Sequence, residues 1–378
     1  MRFKNPFSHL LCSCVTLLAV ILHPAAAADS LQEKLELIQL PPGFEISIFA
    51  DGVENARQLA RGAQGTVFAG SRKAGKVHAV TDPDQDYVAD RVYLIAEGLS
   101  MPSGLEFRDG SLYVGALDRI LRYDDIENRL GQPPHPVVVT DALPDKTHHG
   151  WKYLRFGPDG LLYVPVGAPC NICDEPGFAE IRRMRADGSG MEVFASGVRN
   201  SVGLAFQPGT GELWFTDNGR DLLGDDLPGD ELNHAAQPGL HFGYPYCHQG
   251  DSPDPEFGAG KDCADYEAPA LTLGAHVAAL GLTFYTGDQF PLQYRGQLFI
   301  AQHGSWNRSE KVGYNVLLVR FDGHGQVSGS EVFASGWLQG QDNWGRPNDV
   351  LQMPDGSLLV ADDQANAIYH IRYTGAAK

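Results

Sequence analysis

One short hairpin recurs through the chain, and no other feature of the sequence limits the fold so strongly. A glycine, one further residue and an apolar or aromatic pair appear as "GTVF" (65–68), "GSLY" (110–113), "GLLY" (160–163), "GELW" (211–214), "GQLF" (296–299) and "GSLL" (356–359). Their glycines lie 45, 50, 51, 85 and 60 residues apart. Short strands punctuated by glycine turns at this period are the pattern of β-propeller blades, each a four-stranded antiparallel sheet. Six copies predict an all-β, six-bladed propeller that forms a single domain over residues 29–378.

A second echo concerns the blade edges. "EVFASG" stands at 192–197 and again at 331–336, with the looser "EISIFADG" at 45–52. Each precedes a loop leading into the next hairpin, so each reads as the outermost strand of a blade. The copy at 45–52 has no earlier hairpin of its own. It is predicted to complete the last blade and close the ring, which removes an exposed sheet edge. The 85-residue interval exceeds its neighbours, and the excess falls at about 220–270. That stretch reads as a long loop insertion, rich in Gly, Pro and Asp and carrying Cys247 and Cys263.

The start, "MRFKNPFSHLLCSCVTLLAVILHPAAAADS", has cations, a short apolar stretch and an alanine-rich end. It reads as a signal peptide over 1–28, removed on export, rather than as a membrane span or a lipid anchor at Cys14. The expected location is therefore periplasmic or secreted. Four cysteines then remain, and an even count in an exported chain suggests two disulfides, most simply Cys170–Cys173 and Cys247–Cys263. "CNICD" also has the form of a redox or metal CxxC, although no second CxxC completes a zinc site and no histidine follows for haem attachment. The net charge of −18 disfavours nucleic acid or anionic lipid as a partner. No later apolar run is long enough to insert in a membrane.

In a propeller the loops that enter the innermost strands meet on one face. Aligning the hairpins brings "NARQ" (55–58), "MPSG" (101–104), "THHG" (147–150), "VRNSVG" (198–203), "HVAALG" (276–281) and "GRPND" (345–349) around one axial pocket. Loops between second and third strands open on the same face, among them "GSRKAG" (70–75), "TDNGRD" (216–221) and "AQHGSWNR" (301–308). Arginines, amides and a histidine at equivalent positions describe an anion-binding pocket with a base inside it. Only one of His148 and His149 is expected to face the axis, because alternate residues of an extended segment point to opposite sides. The eight-residue spacing to Gly157 of "GPDG" selects His149. Taken singly, each residue has a plainer reading: a loop histidine, arginines in ordinary ion pairs, and "DDLPGDELN" as a solvated acidic loop or a calcium site.

From "LPPGFEISIFADGV" to "AIYHIRY" the chain resembles the soluble pyrroloquinoline-quinone (PQQ)-dependent sugar dehydrogenases, the group of aldose sugar, soluble glucose and L-sorbosone dehydrogenases. The marks are His149 ahead of "GPDG", "VRNSVGLAF" (198–206), "TDNGRD" followed by "GDELN", "FGYPYC" (242–247) and "GRPNDV" (345–350). The resemblance implies PQQ and calcium as cofactors, a small sugar or sugar-derived aldehyde as substrate, and a soluble or membrane-bound electron acceptor. It implies His149 as general base and Arg199 beside the reacting quinone oxygens. Asn200 and Asn218 would hydrogen-bond the cofactor, the carbonyls of Gly219 and Arg220 would ligate calcium, and Arg346 would pair with a cofactor carboxylate. His303 and Asn348 stand at cofactor-facing positions where the family has a lysine and an arginine. Ala168 stands where an aspartate commonly orients the histidine, and Arg220 where the calcium site has a proline. These departures point toward the sorbosone dehydrogenase branch. Two other functions suit a six-bladed propeller. A calcium-dependent lactonase of the gluconolactonase type needs carboxylates and amides on the axis, and a non-catalytic binding propeller does not require His149 and Arg199 together.

Overall fold

A computed structural model describes residues 1–2 and 30–375. The leader read at 1–28 lies, apart from its first two residues, outside the described residues. Six antiparallel sheets follow one another as blades. Blade 1 comprises Ala56–Arg61, Val67–Ser71, Val77–Thr81 and Arg91–Ala96. Blade 2 runs from Gly104–Arg108 to Val137–Thr140, blade 3 from Arg155–Phe156 to Glu192–Ser196, blade 4 from Gly203–Phe206 to Leu271–Ala275, and blade 5 from Ala279–Phe284 to Val327–Ala334. Blade 6 takes Pro347–Gln352, Leu358–Asp362 and Ala367–Tyr373 from the end of the chain and Phe44–Ala50 from its beginning. Phe44 lies opposite Tyr373 and Ala50 opposite Ile368, so the N-terminal strand closes the ring as the repeat phase predicts.

The recurrent glycine has a backbone cause. All six hairpin glycines lie in the left-handed region, with φ between 73° (Gly211) and 94° (Gly65). A side chain there is strained, so the turn that starts each second strand repeats its glycine. The second strands themselves, such as Val67–Ser71 and Leu298–Gln302, are buried along their whole length because a neighbouring blade covers each face. The closing strand is welded by aromatic packing: the Phe44 ring lies 4.7 Å from Phe290 and 5.0 Å from Phe333, in one core cluster with the buried Trp337 and Tyr369.

Innermost strands present one unpaired edge to the channel, and buried side chains satisfy it. Gln58 Oε1 accepts from the N–H groups of Leu105 (2.9 Å) and Leu154 (3.0 Å), while its Nε2 donates to the Leu154 carbonyl (2.7 Å). Three blades are thereby tied through one amide. Asp349 accepts from the Leu59 N–H (2.7 Å) and the Tyr153 hydroxyl (3.2 Å), linking blades 6, 1 and 3.

The stretch read as an insertion at about 220–270 contains a blade strand. Gly229–Ala235 is the third strand of blade 4. Beyond it, the two-residue strand Leu240–His241 adds in parallel to Glu192–Ser196, so the first "EVFASG" copy is not the outermost strand of its sheet. The remainder is stapled by the Cys247–Cys263 disulfide, with Cα atoms 5.6 Å apart. The bond links residues 16 apart in sequence, and a cross-link of that span contributes about 3 kcal/mol by the chain-entropy argument. A double serine variant at Cys247 and Cys263 is therefore expected to lose about that much unfolding free energy in urea titration. An unchanged midpoint would show that the insertion does not need its staple.

Candidate functional site

Buried carboxylates set the loops that enter the channel. Asp217, the last residue of the second strand of blade 4, accepts from the N–H groups of Arg199 (2.7 Å) and Asn200 (2.6 Å). Asp362, in the same position of blade 6, accepts from the Arg346 N–H at 2.9 Å. Asp230 accepts from Gly219 (2.9 Å) and Ala278 (2.7 Å). Burial pushes Asp230 and Asp362 up to about 6. It also pushes Asp217 well above the ordinary carboxylate range, with Glu231 adding to the effect. The backbone hydrogen bonds oppose that rise, because they favour the ionised form.

These loops surround a cavity of about 280 Å³ at one end of the channel. Seven of the residues singled out from sequence line it together: His149, Arg199, Asn200, Asn218, Gly219, His303 and Arg346. Two others do not. Arg220, expected to act through its carbonyl rather than its side chain, turns its guanidinium behind the wall to Asp254 (2.5 Å) and Glu256 (2.8 Å). Asn348 lies deeper in the channel and donates to the Ala56 carbonyl at 2.6 Å, because Arg346 already occupies the mouth of the same inner strand.

His149 is held by backbone alone. Its Nδ1 lies 2.9 Å from the Ala168 carbonyl oxygen. A carbonyl only accepts, so Nδ1 carries the hydrogen and Nε2 keeps its lone pair. The orienting acid missing at position 168 is thus replaced by the main chain of the residue that stands there. Gly167 makes the approach possible, since a Cβ at that position would come 2.6 Å from the Cβ of His149. Burial, followed by Arg199 and His148, pushes the His149 pKa well below 6.5, so the ring is neutral at pH 7. The histidine pair departs from the extended geometry expected of it. His149 has φ 48°, alternation fails, and both imidazoles line the cavity with centroids 4.1 Å apart.

Arg199 sits in a dense oxygen cradle. It donates through Nε to the Asn171 carbonyl (2.9 Å) and through Nη2 to Asn171 Oδ1 (2.7 Å) and Asp221 (3.0 Å). Its Nη1 donates to the carbonyls of Asn218 (2.9 Å) and Gly219 (2.7 Å). Asn171 lies between the two halves of the Cys170–Cys173 disulfide, so the CxxC loop is a structural clasp beneath this arginine. Asn218 donates to the carbonyls of Asn200 (3.2 Å) and Ala279 (2.8 Å), and Asn200 Oδ1 accepts from the Trp151 indole at 2.9 Å.

Across the cavity Asp363 accepts from Arg57 Nη1 (2.8 Å) and contacts His303 Nε2 (2.7 Å). Against the opposing effect of burial, His303 and Arg57 hold this carboxyl far below its usual range. Burial pushes His303 down to about 4 despite Asp363. Arg346 donates to the carbonyls of His303 (3.0 Å) and Gly304 (2.7 Å). Arg57, Trp151, Asn171 and Asp221 were not singled out from sequence. Arg57 stood inside the segment "NARQ" assigned to the pocket, and the repeat phase alone could have found it.

The TrAA12-like family model matches residues 38–374. The chain belongs to the TrAA12-like family. An uncharacterized protein of Borreliella burgdorferi is 31% identical, over 98% of this chain and 99% of that protein. The aldose sugar dehydrogenase YliI of Escherichia coli is 28% identical over 48% of this chain and 44% of its own length. Among solved structures, the calcium structure of the Trichoderma reesei carbohydrate-active enzyme family AA12 superposes with a TM-score of 0.77 at 20% identity, covering 89% of this chain and 97% of that one. The holo form of the pyranose dehydrogenase PQQ domain from Coprinopsis cinerea gives 0.75 at 18% identity with the same coverages. At these identities the superpositions establish a shared fold for the TrAA12-like chain. The relatives agree with the PQQ-dependent sugar dehydrogenase group that the motifs resemble. Among the described residues no helix is long and apolar enough to cross a membrane.

Proposed function

We propose that this TrAA12-like protein is an exported quinoprotein dehydrogenase that oxidises a sugar or sugar-derived aldehyde. The observation that carries the reading is a neutral imidazole of fixed tautomer facing a cavity lined with arginines. His149 Nε2 is the base that takes the proton of the substrate hydroxyl. Arg199, whose five donors are all taken by protein oxygens, acts on negative charge developing beside it through its own positive charge. PQQ, when bound, supplies the two-electron sink that receives hydride from the substrate carbon.

The residues suit a tricarboxylate cofactor. Arg57, Arg199 and Arg346 supply positive charge, Asn200 and Asn218 supply amides, and the buried Asn307 Oδ1 at the cavity wall has no hydrogen-bond partner. Calcium is a separate matter. The carbonyls of Asn218 and Gly219 and the Asp221 carboxylate form a hard-oxygen set of the kind calcium takes, but the Arg199 guanidinium holds all three. A calcium ion held at Gly219 would share these oxygens with the Arg199 guanidinium. A lactonase metal on the axis finds less support: Asp221 is committed to Arg199 and Asn307, and Asp230 to backbone N–H groups. The two disulfides support an oxidising, periplasmic or extracellular location.

Dye-linked oxidation of aldoses by protein stripped of cofactor is expected to be absent, and to appear when PQQ and calcium are added together. Turnover persisting in chelator without quinone would contradict the assignment.

A further inference from the structure

We propose that a second cavity beside the first is a carboxylate subsite, and that the substrate is an acidic sugar, such as a uronic acid or the reducing end of an acidic oligosaccharide. This rests on the dehydrogenase reading above and names its substrate class. The second cavity, of about 380 Å³, shares Arg72, Thr147 and His148 with the first and is completed by Lys73 and Met101.

The cations of the site are not equivalent. Arg57 is paired with Asp363 at 2.8 Å and Arg199 with Asp221 at 3.0 Å, while Arg346, held by two carbonyls, is the cation assigned above to the cofactor. The Arg72 guanidinium and the Lys73 ammonium have neither a carboxylate within ion-pair distance nor a side-chain hydrogen bond among the described residues. Arg72 lies instead over the Trp151 indole, 4.4 Å from its centroid, at the seam of the two cavities. Burial lowers its pKa, and the neighbouring Arg57 and Arg346 lower it further against a partial offset from Asp363. Its surroundings are therefore net positive, in a protein whose overall charge is −18.

The two cations are also pre-positioned. Asn55 Oδ1 accepts from the N–H groups of both Arg72 (2.9 Å) and Lys73 (2.6 Å). Asn55 is fixed in turn, its N–H donating to Asn366 Oδ1 at 2.7 Å and its amide to the Asp363 carbonyl at 3.2 Å. A planar guanidinium backed by an indole presents its edge to a carboxylate in two-point fashion, and the lysine adds a point charge. The largely exposed Trp306 offers an apolar face for a pyranose ring in the adjoining cavity. A neutral sugar leaves both charges uncompensated.

A carboxylate at this place has two sources, the substrate or the cofactor, and the test separates them. Steady-state oxidation by the holoenzyme compares D-glucuronate with D-glucose and D-galacturonate with D-galactose, pairs that differ only in carrying a carboxylate in place of a hydroxymethyl group. At low salt kcat/KM for the uronate is expected to exceed that for its neutral partner by about tenfold or more, with the advantage shrinking at high salt. Arg72→Gln should bring that ratio close to one. Lys73→Gln should reduce it less, since it removes a point charge and leaves the two-point guanidinium contact in place. Calorimetric titration of glucuronate and glucose into the protein supplies a readout independent of turnover, with uronate binding the tighter. Uronate binding without oxidation of any sugar would keep the subsite and overturn the dehydrogenase reading. Equal kcat/KM for the members of each pair would overturn the subsite alone. So would a loss of PQQ affinity in the two variants with an unchanged uronate-to-neutral ratio, which would give these cations to the cofactor.

Discussion

His149→Ala is expected to lower kcat by about 10²–10⁴-fold while leaving PQQ affinity nearly unchanged, because general-base transfer is lost and no contact in the arginine wall is removed. The acid dependence follows from the burial of this imidazole. Its pKa lies well below 6.5, so the ring is already deprotonated and competent at neutral pH. Raising the pH above 7 should gain nothing through this group, whereas acidification through the folded pKa protonates Nε2 and kcat/KM falls. The acid limb of the wild-type profile is therefore placed below pH 6.5, and it should vanish from the residual activity of His149→Ala. His148 faces the same cavity, yet its ring is engaged in no hydrogen bond among the described residues, and His148→Ala should cost less. Near-normal turnover of His149→Ala under saturating sugar and quinone, or the reverse ranking of the two histidines, would remove His149 from the role of base.

Arg346→Ala is expected to weaken PQQ binding by about 10- to 100-fold, the value of a charge-assisted hydrogen bond to a carboxylate, with much less effect on kcat at saturating quinone. Arg346 spends Nε and one terminal nitrogen on the carbonyls of His303 and Gly304, which fixes the plane of the guanidinium, and Nη1 has no protein acceptor. Asp362 holds the backbone N–H of the same residue, so the substitution leaves the loop anchored. Absorbance-monitored titration reads the affinity and dye-linked turnover reads kcat. An unchanged affinity would reject a cofactor-holding role.

The blades were legible because one physical requirement, a left-handed turn ahead of each second strand, repeats as a glycine six times. Closure by Phe44–Ala50 was legible for a related reason: an outer-strand echo without its own hairpin must pair elsewhere. Blade phase also sufficed to bring His149, Arg199 and Arg346 to one cavity, since equivalent inner-strand positions converge on the axis. What escaped depended on dihedrals and on side-chain direction. The left-handed φ of His149 brings His148 to the same wall, and nothing in "THHG" announces it. Asn348 was assigned to the cofactor wall, but two residues along an inner strand is one layer deeper, where its amide meets Ala56. Gly229–Ala235 was hidden within the apparent insertion because "GDELNHA" lacks an apolar run. Its buried Asp230 and Glu231 are satisfied by hydrogen bonds that pattern alone does not reveal, one of them donated by the Asn233 amide. Asn171 became meaningful only when the Cys170–Cys173 clasp and the Arg199 cradle were seen together.

The central claim is that the arginine-lined axial cavity binds one PQQ, and the most direct measurement is an absorbance titration of the cofactor-free protein with PQQ in the presence of calcium. The expected result is saturable uptake with an end point at one quinone per chain, shifted to higher quinone concentration by Arg346→Ala and unaffected in stoichiometry by His149→Ala. A spectrum that follows free PQQ throughout the titration, with no end point in the wild-type protein, would contradict the account.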